Sequence, residues 1–192
     1  MRCLLCSNWS ITEHICKSCQ KEFLTPKIER QIFYKDIELI SFYSYKEIEQ
    51  LLKLKHTHLG FYVFSLLSQL TFKEFAKNFT TDTIFTSIAV DDSVKSGYSH
   101  TAILNRALKS RSIAPCYNVL KQKSDLQYSK HDLAWRKMHP RDFFLKECNK
   151  KKIILVDDIK TTGITLKASI DLLLKSKKEV QFILVLADAS RV

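Results

Sequence analysis

One stretch constrains this chain more than any other: Lys152-Ile153-Ile154-Leu155-Val156-Asp157-Asp158-Ile159-Lys160-Thr161-Thr162-Gly163-Ile164-Thr165-Leu166. It opens on a continuous run of β-branched and leucine residues, the composition of a strand buried on both faces. Two carboxylates end the run, and a small polar turn follows that contains one of only three glycines in the sequence. Leu166, Ile170, Leu173 and Leu174 then recur at helical spacing, so a helix is expected from about Thr165. Strand, loop, helix is the local order.

That order builds an anion site. The first amides of a helix lack internal partners and point at the preceding loop with the positive end of the helix dipole. Thr161, Thr162 and Thr165 add hydroxyl donors, and Gly163 allows a close approach or a positive φ. Asp157 and Asp158 would repel a phosphate at close range, so they are expected to face sugar hydroxyls or a metal-bound ligand. A monophosphate on a ribose satisfies both halves. The plain alternative is an ordinary strand end followed by a capped helix.

The run Val156 to Thr165 resembles the phosphoribosyl-pyrophosphate loop of the type I phosphoribosyltransferase fold. The resemblance implies that Asp157 and Asp158 contact ribose hydroxyls and that Thr161, Thr162, Gly163 and Thr165 hold the 5′-phosphate, with Ile159, Lys160 and Ile164 inside the same loop. Magnesium is expected with such a ligand, because it screens the pyrophosphate charges and the chain offers few dedicated oxygen ligands.

At the other end, Cys3-x-x-Cys6 and Cys16-x-x-Cys19 form two knuckles separated by nine residues. Such a turn presents two sulfurs on one side, so the four thiolates suit one tetrahedral zinc. A redox dithiol is the rival, and a reducing compartment favours metal over disulfides. Little apolar material surrounds the knuckles, so metal is expected to supply most of the folding energy there. His14 is not expected to be a ligand, since four sulfurs complete the shell.

The chain of 192 residues suits one domain plus a small appendage, and an apolar fraction of 45% allows a sizeable core. The expected division is a four-cysteine module over residues 1–30 and an α/β domain over 31–192. No apolar run reaches the ~20 residues of a membrane span, and Met1-Arg2-Cys3 leads into cysteines instead of an apolar signal. A cytoplasmic protein is expected. The net charge of +11 predicts attraction to a polyanion such as nucleic acid, a phosphorylated ligand or an anionic membrane face. A solvated lysine-rich surface is the bland alternative.

Between the two motifs, residues 32–34 and 37–45 read as a hairpin or edge strands. Residues 46–58 read as an amphipathic helix with Lys53, Lys55, His56 and His58 on its polar face, followed by a second helix over about 61–78. On a helix His56 and His58 diverge, which points to solvated surface or phosphate contact and not to metal. Residues 84–90 read as a core strand, 101–108 as a helix, and 115–120, 153–156 and 182–186 as further strands. This alternation indicates a mostly parallel sheet with helices on both faces, whose ligands lie beyond the strand C-termini. The segment 91–100 would lie there beside the organising loop. Residues 121–141 are polar and basic: Lys121, Lys123, Lys130, Arg136, Lys137 and Arg141, with Tyr128 and Trp135, have the composition of a single-strand groove. The alternative is a basic loop that closes over a phosphorylated ligand. Cys116 and Cys148 read as structural thiols.

The zinc module joined to this order is similar to the ComF (ComFC) family of bacterial competence proteins. Tyr45, Leu54-Lys55, Gln127, Arg136 and Phe143 sit where that family has its signatures. Ser96-Gly97-Tyr98-Ser99-His100 occupies the place of an Arg-Gly-Phe-Asn-Gln-like segment; Ser96 and Tyr98 depart from it, which leaves Lys95, Ser96 and Gly97 as the candidate pyrophosphate side, with Lys95 supplying charge. The resemblance implies handling of single-stranded DNA in natural transformation, at the cytoplasmic face of the inner membrane and peripheral to its uptake machinery. A phosphoribosyltransferase enzyme acting on a nucleobase is the rival.

Overall fold

The computed structural model describes residues 1–11, 13–91, 93–94, 97–122, 143–146, 148 and 150–190. After a short helix α1 (Lys17–Phe23) the chain forms a hairpin of β1 (Glu29–Tyr34) and β2 (Ile37–Ser44). Helices α2 (Tyr45–Leu52), α3 (His58–Ser68) and α4 (Glu74–Asn78) follow; a 3-10 turn over Lys53–His56 separates the first two, and a π turn over Gln69–Lys73 joins the last two. Then come β3 (Phe85–Ala89), α5 (His100–Ala107), β4 (Ile113–Cys116) and the pair β5 (Leu120–Gln122) and β6 (Phe143–Leu145). The chain closes with β7 (Lys152–Lys160), α6 (Ile164–Lys175) and β8 (Glu179–Asp188).

Six strands make one sheet in the order β1-β2-β8-β7-β3-β4. Only β1 is antiparallel; the pairs β2–β8, β8–β7, β7–β3 and β3–β4 are parallel. Parallel sheets need both faces covered, and the alternation along β7 does this. Ile154 and Val156 join Phe42, Phe64, Leu104 and Leu184 on one face, under α2, α3 and α5. Ile153 and Leu155 join Leu166, Ile170, Leu173 and Ile183 on the other, under α6. The central sheet flanked by helices is therefore the one expected from the sequence.

The order of the strands places the site. From β3 the chain proceeds outward through α5 to β4, and from β7 it proceeds the other way through α6 to β8. The sheet order reverses between β3 and β7, and ligands of open α/β sheets lie outside the carboxyl ends of strands at such a switch point. Residues 91–100 come after β3 in the chain, and residues 157–165 form the carboxyl end of β7 and the turn into α6.

Several elements differ from the sequence expectation. The hairpin over β1 and β2 is one of the two forms expected, but β2 is an interior strand, buried along nearly its whole length between β1 and β8. The expected single strand over 115–120 is two: β4 begins earlier at Ile113, and a turn with Asn118 at φ 57° separates it from β5. The expected helix over 46–58 ends at Leu52, because the chain tightens into the 3-10 turn before Thr57 caps α3 through its hydroxyl. β8 is also longer than expected at both ends, since it pairs with β7 from Glu179 to Asp188 and with β2 from Phe182 to Asp188.

Candidate functional site

β7 does not stop at its apolar run. Asp157, Ile159 and Lys160 continue the ladder opposite Val185, Ala187 and Asp188 of β8, so both carboxylates lie within the strand and are buried. The expectation that they end the strand is corrected by this pairing. What makes the extension tolerable is charge neutralisation. Lys160, itself buried, places its amine 3.0 Å and 3.2 Å from the two oxygens of fully buried Asp188, and it donates to Ser190 Oγ at 2.6 Å. Gln31 Nε2 of β1 donates to the same Asp188 carboxylate at 2.6 Å. Burial opposes ionisation of Asp188, but the Ser190 donors and the Lys160 amine outweigh it and hold its carboxyl below the usual range.

Past Lys160 the chain turns. Thr161 and Thr162 are exposed, and Gly163 takes a left-handed conformation with φ 74° as the N-cap of α6. A Cβ at Gly163 would also run into the Phe33 ring of β1. Both reasons given for a glycine here, positive φ and close approach, therefore operate together. Ile164 N–H, the first helical amide, faces Thr162 Oγ1 at 3.5 Å, and Lys167 N–H donates to Gly163 C=O at 2.9 Å. The result is a helix N-terminus with two exposed threonines in front of it.

The acids are already engaged. Asp157 Oδ1 accepts from Asp158 N–H, and Asp158 Oδ1 accepts from Ile159 N–H, each at 2.8 Å. Asp158 Oδ2 meets two further groups at 3.2 Å, Lys55 Nζ and His100 Nε2. Burial would raise the Asp158 carboxyl, yet the charges and hydrogen bonds of Lys55 and His100 hold it well below its usual value of 3.8. Lys55 comes from the 3-10 turn and His100 from the first position of α5, whose N-cap Ser99 accepts from Ala102 N–H. Tyr98 Oη donates to Lys55 C=O at 2.6 Å, and the His100 ring lies 5.4 Å from Phe64 and 6.0 Å from His56. A site of two carboxylates, one lysine and one histidine thus stands beside the threonine turn.

Sequence reasoning missed part of this. Lys55 is not on a solvated helix face, because α2 ends before it and the tighter turn swings it inward. Gln31 and Phe33, which brace the loop from an edge strand, carried no local signal. Of the remaining site candidates, Gly97 has φ 86° in an open position and Lys121 sits half-buried on β5. Lys95, Ser96, Lys123, Lys130, Trp135, Arg136, Lys137 and Arg141 lie outside the described residues, as do Gln127 and Tyr128.

The cysteines form the second cluster. The ligand atoms of Cys3, Cys6, Cys16 and Cys19 all lie within 4.8 Å of one another. A tetrahedron with metal–sulfur bonds of about 2.3 Å has edges of about 3.8 Å. Cys6 Sγ and Cys16 Sγ are 3.8 Å apart. The four thiols are thus within ligand distance of one metal such as zinc, and the donor set fits it. Against burial, N–H donors from Cys16, Cys6 and Leu5 pull the Cys3 thiol down to about 6. Burial and the three neighbouring sulfurs push the Cys19 thiol far up. His14 stands outside the cluster, with its ring on Tyr62. The module does not pack alone: Cys3, Ile15, Cys19 and Leu24 belong to the same buried cluster as Phe42 and Phe64.

A hypoxanthine phosphoribosyltransferase structure from Staphylococcus aureus is 13% identical with a TM-score of 0.40, covering 65% of this chain and 62% of its own. The chain thus spans less than two thirds of that relative's length. Orotate phosphoribosyltransferase from Aeropyrum pernix is 17% identical with a TM-score of 0.41, covering 90% of this chain and 81% of its own. No curated protein matches. Residues 20–190 match the family model PRTase-CE, a span that holds every strand, the Lys55–Asp158–His100 cluster and the threonine turn, and the chain belongs to the PRTase-CE family with a phosphoribosyltransferase-like domain.

Proposed function

We propose that this chain binds phosphoribosyl pyrophosphate, with magnesium, at the loop between β7 and α6. The single observation that carries the reading is the left-handed Gly163 turn, which leaves Thr161 and Thr162 exposed before the N-terminus of α6, beside two carboxylates at the switch point. In this reading Thr161, Thr162, Gly163 and Thr165 receive the 5′-phosphate, Asp157 and Asp158 face the ribose, and the Lys95-Ser96-Gly97 segment faces the pyrophosphate. Magnesium would offset charge between pyrophosphate and carboxylates. Zinc on the four cysteines is structural, and residues 1–30 and 31–192 are the two functional units.

The wider role in this proposal is single-stranded DNA handling of the competence type, in the cytoplasm and peripheral to the inner membrane. It is supported by the net charge of +11, by the basic composition of residues 121–141 with Tyr128 and Trp135, and by the resemblance to the ComF family. No helix among the described residues is long and apolar enough to cross a membrane. A phosphoribosyltransferase acting on a nucleobase is the second reading, favoured by membership in a phosphoribosyltransferase-like family.

Calorimetry with phosphoribosyl pyrophosphate and magnesium tests the common core of both readings. Thr161→Val is the cleaner probe, because its side chain is exposed, while Thr162→Val also removes the hydroxyl that faces Ile164 N–H at 3.5 Å. Each should weaken binding by about 1.5–3 kcal/mol, the worth of a hydrogen bond to a charged group. Absence of binding to folded wild-type protein would sink the proposal. Single-stranded DNA titrated with and without the ligand separates the readings: salt-sensitive binding without turnover supports the DNA role, and base-dependent release of pyrophosphate supports the enzyme.

A further inference from the structure

A continuous line of contacts joins the thiol cluster to Asp158. It begins in the knuckles, where Cys16 N–H approaches Cys3 Sγ at 3.4 Å and Leu4 N–H donates to His14 C=O at 2.8 Å. The two knuckles thereby fix the residue between them. The His14 ring lies on Tyr62 of α3, with centroids 4.3 Å apart. Tyr62 meets Phe61 edge-on at 5.5 Å, and Phe61 meets Tyr98 edge-on at 5.9 Å. Tyr98 Oη then holds Lys55 C=O at 2.6 Å, and Lys55 Nζ reaches Asp158 at 3.2 Å.

These rings stand outside the core. Phe61 and Tyr62 are 46% and 52% exposed, on the first turns of a helix whose buried side is Gly60, Val63, Phe64 and Leu67. Their contacts run sideways, to the cysteine module and to the loop after β3. Gly60 completes the arrangement, since a Cβ there would collide with Tyr98 Oη and with Leu54 C=O. Helix α3 is built to let Tyr98 come down onto the turn that carries Lys55.

We infer that this aromatic staple makes the four-cysteine module a positioning device for the carboxylate site. The element with two states is the module itself, whose thiolates need a cation to hold them together while its Ile15 and Leu24 rest on the main core. Its order fixes His14, which backs Tyr62 and Phe61, which seat Tyr98, which holds the Lys55 turn against Asp158. The consequence for ligand affinity rests on the proposed ligand site; the physical coupling does not.

Hydrogen exchange on the full chain tests the coupling without any ligand. In metal-loaded wild-type protein, chelation should raise exchange at residues 53–62 and 97–101 together with 3–19, while the interior amides of β7 and β8 stay protected. In Tyr62→Ala loaded with metal, residues 53–62 and 97–101 should already exchange faster, and chelation should then change only 3–19. Tyr62→Phe, which keeps the ring, should behave as wild type. Unchanged exchange at 97–101 in both chelated wild type and Tyr62→Ala would overturn the inference. If chelation unfolds the whole chain, the loaded Tyr62→Ala and Tyr62→Phe pair decides the matter. In calorimetry with phosphoribosyl pyrophosphate and magnesium, loaded Tyr62→Ala should bind about tenfold more weakly than wild type, the scale of one or two aromatic contacts. Wild-type protein that fails to bind the ligand refutes the ligand reading and leaves the exchange result to judge the staple.

Discussion

Gly163 is doubly constrained at the site, by its backbone conformation and by the Phe33 ring. A side chain at φ 74° is strained, and here it must also displace an aromatic ring. Gly163→Ala should cost about 1–3 kcal/mol from backbone strain alone, and more with the ring in place. In a Phe33→Ala background the extra cost should vanish, so a double-mutant cycle by chemical denaturation should show clear coupling between the two. Asp158 provides a second residue-scale test. Its folded carboxyl lies below its usual 3.8, so its contribution to stability is full above that value and is lost as pH falls through the lower folded value. Asp158→Asn should therefore flatten the acid limb of a stability–pH curve below about pH 4, while wild type falls steeply. Asp158→Ala is a poorer probe of ligand contact, since it strands Lys55 and His100 beside an empty, buried position.

At the scale of elements, the break between α2 and α3 matters most. Thr57 donates to Leu54 C=O at 2.8 Å and accepts from Gly60 N–H, so one hydroxyl closes the 3-10 turn and starts the next helix. Thr57→Ala should cost about 1 kcal/mol in thermal or urea melts, as loss of a helix cap does, and should loosen Lys55 from Asp158. This break was not legible in the sequence. Lys53 to His58 keeps an amphipathic composition, and nothing in it breaks helical periodicity before Thr57. The strand–loop–helix of residues 152–166 was legible, because a two-faced apolar run followed by Thr-Thr-Gly has few other solutions. Its true end at Lys160 was not, because the neutralising Asp188 lies on a different strand. Paired Cys-x-x-Cys spacing likewise showed the thiol cluster, but not that Ile15 and Leu24 would bury themselves among Phe42 and Phe64.

For the molecule as a whole, the shared core of module and sheet means that a metal held by the four thiols would be linked to the whole fold. Removing metal by chelation, or replacing Cys3 with Ser, should lower the melting temperature of the entire chain and not only of its first residues. Differential scanning calorimetry should show one shifted transition, whereas an unchanged main transition would mean that the module folds apart. The sheet carries a further consequence, for synthesis. Its second strand, β2, is buried and almost wholly apolar along one face, yet its partner β8 comes near the far end of the sequence. At translation rates of about 5–20 residues per second, β2 must wait on the order of ten seconds for that partner. During that interval the hairpin offers an open, sticky edge to whatever is nearby. Shielding of that edge until β8 arrives should therefore raise the yield of folded chain, a need that the finished protein does not share.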